Sequence, residues 1–162
     1  MKKDIKSRLP IYLIAIAIPL AVGALSALLT AKGMEIYGDM TKPPLAPPAF
    51  LFPIVWGILF VLMGVSSAIV FENRKLYPED AASGLTHYTI SLAVNFFWSI
   101  IFFNFEAYLI AFIWLIVLLY FVLRTFLDYR RISLTAALLQ APYILWIIYA
   151  GYLNFAIWFL NR

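Results

Sequence analysis

The sequence contains no cysteine and only one histidine among its 162 residues. Without cysteine it forms no disulfide, holds no thiolate-ligated metal and has no thiolate nucleophile. One histidine leaves metal catalysis without enough nitrogen ligands. We expect no Ser–His–acid triad or carboxylate pair within one site either. We therefore expect no metal centre and no required cofactor.

Charged residues are also scarce: they make up 12% of the chain, whereas 65% is hydrophobic and the mean hydropathy is +0.94. One soluble core cannot bury this much apolar surface. Five apolar stretches are each long enough to span a bilayer, and they are continuous, which excludes the alternating pattern of a β-barrel. The prediction is an all-α integral membrane protein, a single domain with helices at about 9–29, 51–71, 84–103, 107–127 and 133–160.

The few basic residues are unevenly distributed between alternate connections. Nine of the 12 lysines and arginines fall at the N-terminus, in the second loop and in the fourth connection. The positive-inside rule then places the N-terminus in the cytoplasm and the C-terminus outside, in a membrane we expect to be the bacterial plasma membrane. This bias explains the net charge of +4, so we expect no nucleic acid as a partner.

Asp, Glu, Lys and Arg are absent from the predicted spans before Arg124. Proton relays and ion-coupled transporters usually need such residues, so their absence argues against both. His87 has two interpretations, an axial ligand to haem iron or a solvated imidazole at the membrane interface. Its position near the start of helix three favours the interfacial imidazole.

The longest predicted connection runs from about Thr30 to Phe50 and ends in the stiff sequence KPPLAPPAFLFPIVW, residues 42–56. Each proline fixes φ and disfavours helix at the residue before it. This segment is predicted to be an extended strut leading into helix two, where Pro53 is tolerated in the first turn. Connections of this length are usually functional or disordered.

Aromatic and amide side chains recur at helical spacing in three of the spans. Their positions are consistent with a ligand pocket or with simple packing, and spacing alone favours packing. An amide at membrane depth needs a partner, so Asn95 and Asn154 should face the bundle interior. The residues concerned are Trp56, Phe60 and Met63, then Asn95 and Trp98, then Pro142, Trp146, Ala150 and Asn154.

Four stretches together resemble the TspO/MBR family, the tryptophan-rich sensory proteins related to the translocator protein or peripheral benzodiazepine receptor. They are PLAVGALSALLT at residues 19–30, KPPLAPPAFLFPIVWGILFVLMGVSSAIV at 42–70, NFFWSIIFF at 95–103 and APYILWIIYAGYLN at 141–154. Their order matches the family along nearly the whole chain.

The resemblance implies a five-helix bundle, usually a homodimer, with a pocket beneath the first loop. Family members bind protoporphyrin IX, haem, benzodiazepine-type ligands and, in animals, cholesterol. The proline strut would then hold a lid over the pocket, and Lys32 and Lys42 on that loop would meet porphyrin propionates. The matching ligand positions are Tyr37, Pro47, Trp56, Phe60, Asn95, Trp98, Trp146 and Ala150.

Three departures from the family pattern narrow what the resemblance implies. Trp114 stands where many relatives have an acidic residue in helix four, and Ser91 replaces a glutamine in helix three. The sterol-associated pattern near the C-terminus fails, because Phe155 stands where a tyrosine is needed. Cholesterol is therefore not expected as a ligand.

Three functional classes follow from the resemblance. The leading hypothesis is a tetrapyrrole-binding sensory or translocator protein that takes part in stress regulation. The second is an enzyme that degrades protoporphyrin IX with light and oxygen, in which Trp56 and Trp146 would take part. The third is a transporter of porphyrins or other apolar ligands, which the uncharged spans disfavour.

Overall fold

Five long helices form the bundle in the computed structural model, which describes residues 5–162. All five are long and apolar enough to cross a membrane, which confirms the predicted fold class. Lys2 and Lys3, which contribute to the count of basic residues, lie outside the described range. The helices are α1 Ile5–Asp39, α2 Leu51–Asn73, α3 Pro78–Ser99, α4 Tyr108–Ile132 and α5 Leu134–Leu160, and α3 continues as a π-helical turn at Ile100–Asn104.

The starts of α3 and α5 follow from local sequence. α3 begins with Pro78, whose missing N–H costs nothing in a first turn, and Glu79 and Asp80 follow at the positive end of the helix dipole. At α5 the Ser133 hydroxyl accepts a hydrogen bond from the Ala136 amide. α3 consequently begins six residues before the predicted span, whereas α5 begins within one residue of it.

The first connection is shorter than predicted, because α1 does not end near residue 29. It continues to Asp39, so Thr30, Lys32 and Tyr37 all belong to a helix. The local reason is that no proline occurs between residues 30 and 40; the first helix-breaking pair is Pro43 and Pro44. We refer to the remaining segment, residues 40–50, as the proline loop.

The bundle is built around α5 and α4. α4 packs along α3 on one side and α5 on the other, as expected from the short connection after Asn104. α2 packs against α1 and α5, and α1 lies at the periphery with its main contacts to α2 and the π-helical turn. Most of the apolar surface of α1 is therefore exposed on the outside of the bundle.

α4 extends five residues past the predicted span, and the added turn contains Asp128, which is only 2% exposed. His87 on α3 lies with Nδ1 2.8 Å from Asp128 Oδ2, and Ser83 donates to the same oxygen at 2.8 Å. The His87 ring is therefore held against a buried carboxylate between two helices, although 21% of its side chain stays exposed.

A second buried acid ties α1 to α2 at the same end. Glu72 is 9% exposed at its side chain, and its Oε1 lies 3.3 Å from Arg8 Nε. The Tyr12 hydroxyl donates to Glu72 Oε2 at 3.3 Å. We call this end, which also carries Arg124 and Arg131, the basic end, and the opposite end the loop end.

Candidate functional site

A cavity of about 470 Å³ lies between α1, α2 and α3 in the half of the bundle towards the loop end. This volume falls within the range usual for small-molecule pockets. Its walls come from Leu20, Val22, Gly23, Ala24, Ser26, Ala27, Thr30, Phe52, Pro53, Trp56, Gly57, Phe60, Asn95, Trp98, Ser99 and Phe103.

Aromatic rings form two of the cavity walls. On α2 the rings of Trp56 and Phe60 stack with centroids 5.4 Å apart and an interplanar angle of 29°. Gly23 of α1 makes this possible, because a Cβ there would overlap the Phe60 ring. Trp98 of α3 and Phe103 of the π-helical turn provide the other wall, their centroids 6.2 Å apart.

The Trp98 ring is held in place by the amide that sequence analysis placed in the bundle interior. Trp98 Nε1 donates to Asn154 Oδ1 at 3.1 Å, and Asn154 Nδ2 donates to the Tyr108 carbonyl at 2.6 Å. Asn154 is 1% exposed and Asn95 is 5% exposed, which confirms that both amides face inwards. The Trp98 indole N–H is therefore already satisfied and is not free for a ligand.

One residue of the cavity wall, Asn95, has a buried amide oxygen, Oδ1, without a partner among the described residues. Ser26, Thr30 and Ser99 add hydroxyl groups, of which Thr30 donates to the Ser26 carbonyl at 2.9 Å. No ionisable side chain is among the described lining residues, so recognition here rests on shape, aromatic contact and a few neutral hydrogen bonds.

The proline loop is fastened to the end of α5. Tyr149 and Tyr152 donate to the carbonyls of Leu45 and Pro44 at 2.6 and 2.9 Å. Asn161 exchanges two hydrogen bonds with the Thr41 backbone at 3.1 and 3.0 Å. Leu45 adopts a positive φ of 67°, a strained conformation for leucine that these bonds help to hold.

The sequence of the chain matches a known protein family. The family model described as the TspO/MBR family matches residues 15–159. The chain belongs to the TspO/MBR family. With five membrane-spanning helices, it is therefore an integral membrane protein.

Relatives in this family come from bacteria and animals. The chain is 36% identical to the tryptophan-rich protein TspO of Chlorobaculum tepidum over 149 residues, covering 91% of this chain and 94% of that protein. It is 30% identical to the tryptophan-rich sensory protein of Cereibacter sphaeroides, covering 93% and 89%. It is also 30% identical to the translocator protein of Ovis aries, covering 81% and 78%.

Four of the eight ligand positions implied by the family line the cavity: Trp56, Phe60, Asn95 and Trp98. Trp146 lies one layer outside them, with its ring 6.4 Å from Trp56 in an edge contact, and it faces an external groove between α2 and α5. Pro47 is half-buried in the proline loop and is not part of the wall.

Tyr37 and Ala150 lie on the other side of the aromatic wall, around a small void of about 20 Å³. Phe52, Trp98 and Phe103 line both spaces and so separate them. The Tyr37 hydroxyl is buried without a partner within the described residues, and burial raises the pKa of this phenol. Tyr37 therefore remains a neutral hydrogen-bond donor, beside the cavity but not in it.

Sequence reasoning missed the contribution of α1 to the cavity. Gly23, Ser26, Ala27 and Thr30 all line it, although sequence analysis assigned no ligand position to the first predicted span. Their spacing of three and four residues places them on one helix face, which was the available signal. Sequence alone could not show that this face borders a space rather than another helix.

Proposed function

We propose that this TspO/MBR protein has a membrane sensory or translocator role and that it binds planar tetrapyrroles in the cavity between α1, α2 and α3. The observation that carries the proposal is an uncharged, aromatic-walled cavity of about 470 Å³ inside the membrane-spanning region. Stacked rings suit the face of a macrocycle, and Asn95 Oδ1 suits a donor at its edge or centre.

Metal-free protoporphyrin fits these walls better than haem. Protein-bound haem iron takes an axial ligand from histidine, cysteine, methionine or tyrosine. None of these residue types is among the described lining residues, and His87 is held against Asp128 at the basic end. The pyrrole N–H groups of a metal-free porphyrin, by contrast, are donors that an unpartnered amide oxygen can accept.

The proposal is tested by titrating purified protein with protoporphyrin IX in the dark and following tryptophan fluorescence. We expect saturable binding, weakened about tenfold in a Trp56→Phe/Trp146→Phe variant, since aromatic contacts of this kind are worth about 0.5–1.5 kcal/mol each. Trp158→Phe is the matched control, because Trp158 packs on Phe155 outside the cavity. Absence of saturable binding in the wild type would refute the proposal.

The enzyme hypothesis has one structural observation in its favour. Trp56 faces the cavity and is in edge contact with Trp146, so an oxidised tryptophan beside a bound porphyrin would have a second indole next to it. The same titration is therefore repeated under light while porphyrin absorbance is followed. Protein-dependent loss of the porphyrin bands that disappears in the double variant would favour degradation, and intact bands would favour sensing.

Lys32 and Lys42 are proposed to meet the propionates of a bound porphyrin. Lys32 is exposed, and Lys42 Nζ lies 5.1 Å from the centre of the Tyr37 ring at the loop end. Two such exposed charges contribute little each, so we expect a Lys32→Gln/Lys42→Gln variant to bind protoporphyrin about three- to tenfold more weakly at low salt. Equal affinity of variant and wild type would reject this contact. Association of two copies stays a prediction from the family.

A further inference from the structure

Two of the contacts that hold α1 to the bundle lie on either side of the cavity. Near the basic end, a Cβ at Gly64 of α2 would lie 2.5 Å from Ile16 Cα and 2.7 Å from the Ala15 carbonyl oxygen. Near the loop end, Asn104 Nδ2 donates to the Leu29 carbonyl at 3.0 Å. The two attachments are about 20 Å apart along the helix at 1.5 Å per residue.

Between these attachments, the side chains that line the cavity are also exposed on the outside of the bundle. On α1 these are Leu20, Ala24 and Ala27, and on α2 Pro53 is exposed and Gly57 partly so. The cavity is not fully enclosed, and these exposed residues stand at its edge. The cavity is thus open between α1 and α2, and we call this gap the lateral opening.

The local sequence explains why the helices separate there. Pro19 has no N–H, so the Ala15 carbonyl lacks its helical donor, and proline inside a helix commonly bends it. The same carbonyl is the one that Gly64 approaches closely. Towards the loop end the facing residues are small, and a Cβ on Gly57 would meet no atom within 4 Å.

The proline loop does not border the cavity. It is fastened to α5 through Leu45, Pro44 and Thr41. The lateral opening, in contrast, lies within the membrane-spanning parts of α1 and α2 and is bordered only by apolar residues. At this depth in a bilayer, the medium outside the lateral opening is hydrocarbon.

We propose that apolar ligands pass between the bilayer and the cavity through the lateral opening, and that Gly57, Ala24 and Ala27 set its width. A ligand then reaches the site by first partitioning into the membrane, and the proline loop remains fastened during entry. Only the identity of the ligand rests on the proposed function. The route itself follows from the position of the opening.

A ligand-free experiment tests whether the cavity communicates with lipid. The chain has no cysteine, so a single Ser99→Cys change places a nitroxide label in the cavity wall. In lipid vesicles we expect the label to collide more with oxygen, which dissolves in hydrocarbon, than with a water-soluble nickel chelate. Adding Gly57→Phe should lower the oxygen collision rate several-fold. A label reached mainly by the chelate, or unaffected by Gly57→Phe, would overturn the proposal.

A kinetic experiment in vesicles containing protoporphyrin IX tests the route of entry. Gly57→Phe should slow association and dissociation by about tenfold each and change the equilibrium affinity far less, because it narrows a passage. Gly57→Ala is the size control, and Ile58→Phe places the same ring on the external face of α2. Asn161→Ala, which releases Thr41, should change neither rate.

The outcomes separate the two proposals. Faster exchange in Asn161→Ala with no effect of Gly57→Phe would assign entry to the proline loop and refute the lateral route. If the wild type binds no porphyrin, the proposed function fails, whereas the nitroxide collisions still decide whether the cavity opens to lipid. A second label site, Ser26→Cys, serves if the Ser99 variant does not fold.

Discussion

Asn95 lines a largely apolar cavity, and its amide oxygen is buried without a partner within the described residues. A buried polar group without a hydrogen bond costs stability, and a ligand that donates to it recovers that cost. Asn154, which does not line the cavity, has both its groups bonded. The two amides therefore differ: Asn154 positions Trp98, whereas the Asn95 oxygen has no partner and would reach a ligand in the cavity by rotation of its side chain.

An Asn95→Leu variant should bind protoporphyrin about fivefold more weakly, since one hydrogen bond is worth about 1 kcal/mol net. Its thermal stability should not fall, because leucine replaces an unsatisfied amide. Dark titration and a melting curve in the same detergent measure both quantities. Unchanged affinity would remove Asn95 from the binding site, and a large loss of stability would show that its amide has a partner.

At the basic end, the contact between α3 and α4 depends on Asp128. In Asp128→Ala, Ser83 and His87 lose their shared acceptor, and we expect the free energy of unfolding to fall by about 1–3 kcal/mol. Asp80→Ala is the control, because the Asp80–Arg131 pair is much more exposed and such pairs contribute about 0–1 kcal/mol. Equal melting temperatures for the two variants would contradict this assignment.

At the scale of elements, the closest backbone approach of α1 to α2 depends on Gly64. A methyl group there would clash with backbone atoms of α1, which cannot move aside as a side chain can. At Gly23 the helices are also close, but there α1 faces the side chain of Phe60. Gly57, two turns before Gly64 on α2, faces open space.

Gly64→Ala should destabilise the protein by about 1–3 kcal/mol, the usual cost of overpacking. Gly57→Ala should leave stability unchanged or slightly raised, because alanine favours helix and meets no neighbour. Parallel thermal unfolding of both variants is the measurement. A result in which the two variants are equally stable would mean that α1 shifts freely on α2.

At the scale of the whole molecule, the uneven distribution of basic residues predicts the orientation in the membrane. A single Pro44→Cys variant in the proline loop should react with a membrane-impermeant maleimide added to intact spheroplasts. Lys75→Cys, in the connection after α2, should react only after lysis. The absence of native cysteine makes the labelling specific, and the opposite pattern would invert the predicted orientation.

The sequence by itself determined the membrane environment, the number of helices and the family, because each depends on local apolar length or on contiguous motifs. It also selected Trp56, Phe60, Asn95 and Trp98, since their helical spacing places them on inward faces. Only the tertiary structure decided that α1 borders the cavity and that Asp128 is buried. Both depend on how close two distant segments approach, and neither hydropathy nor spacing encodes that distance.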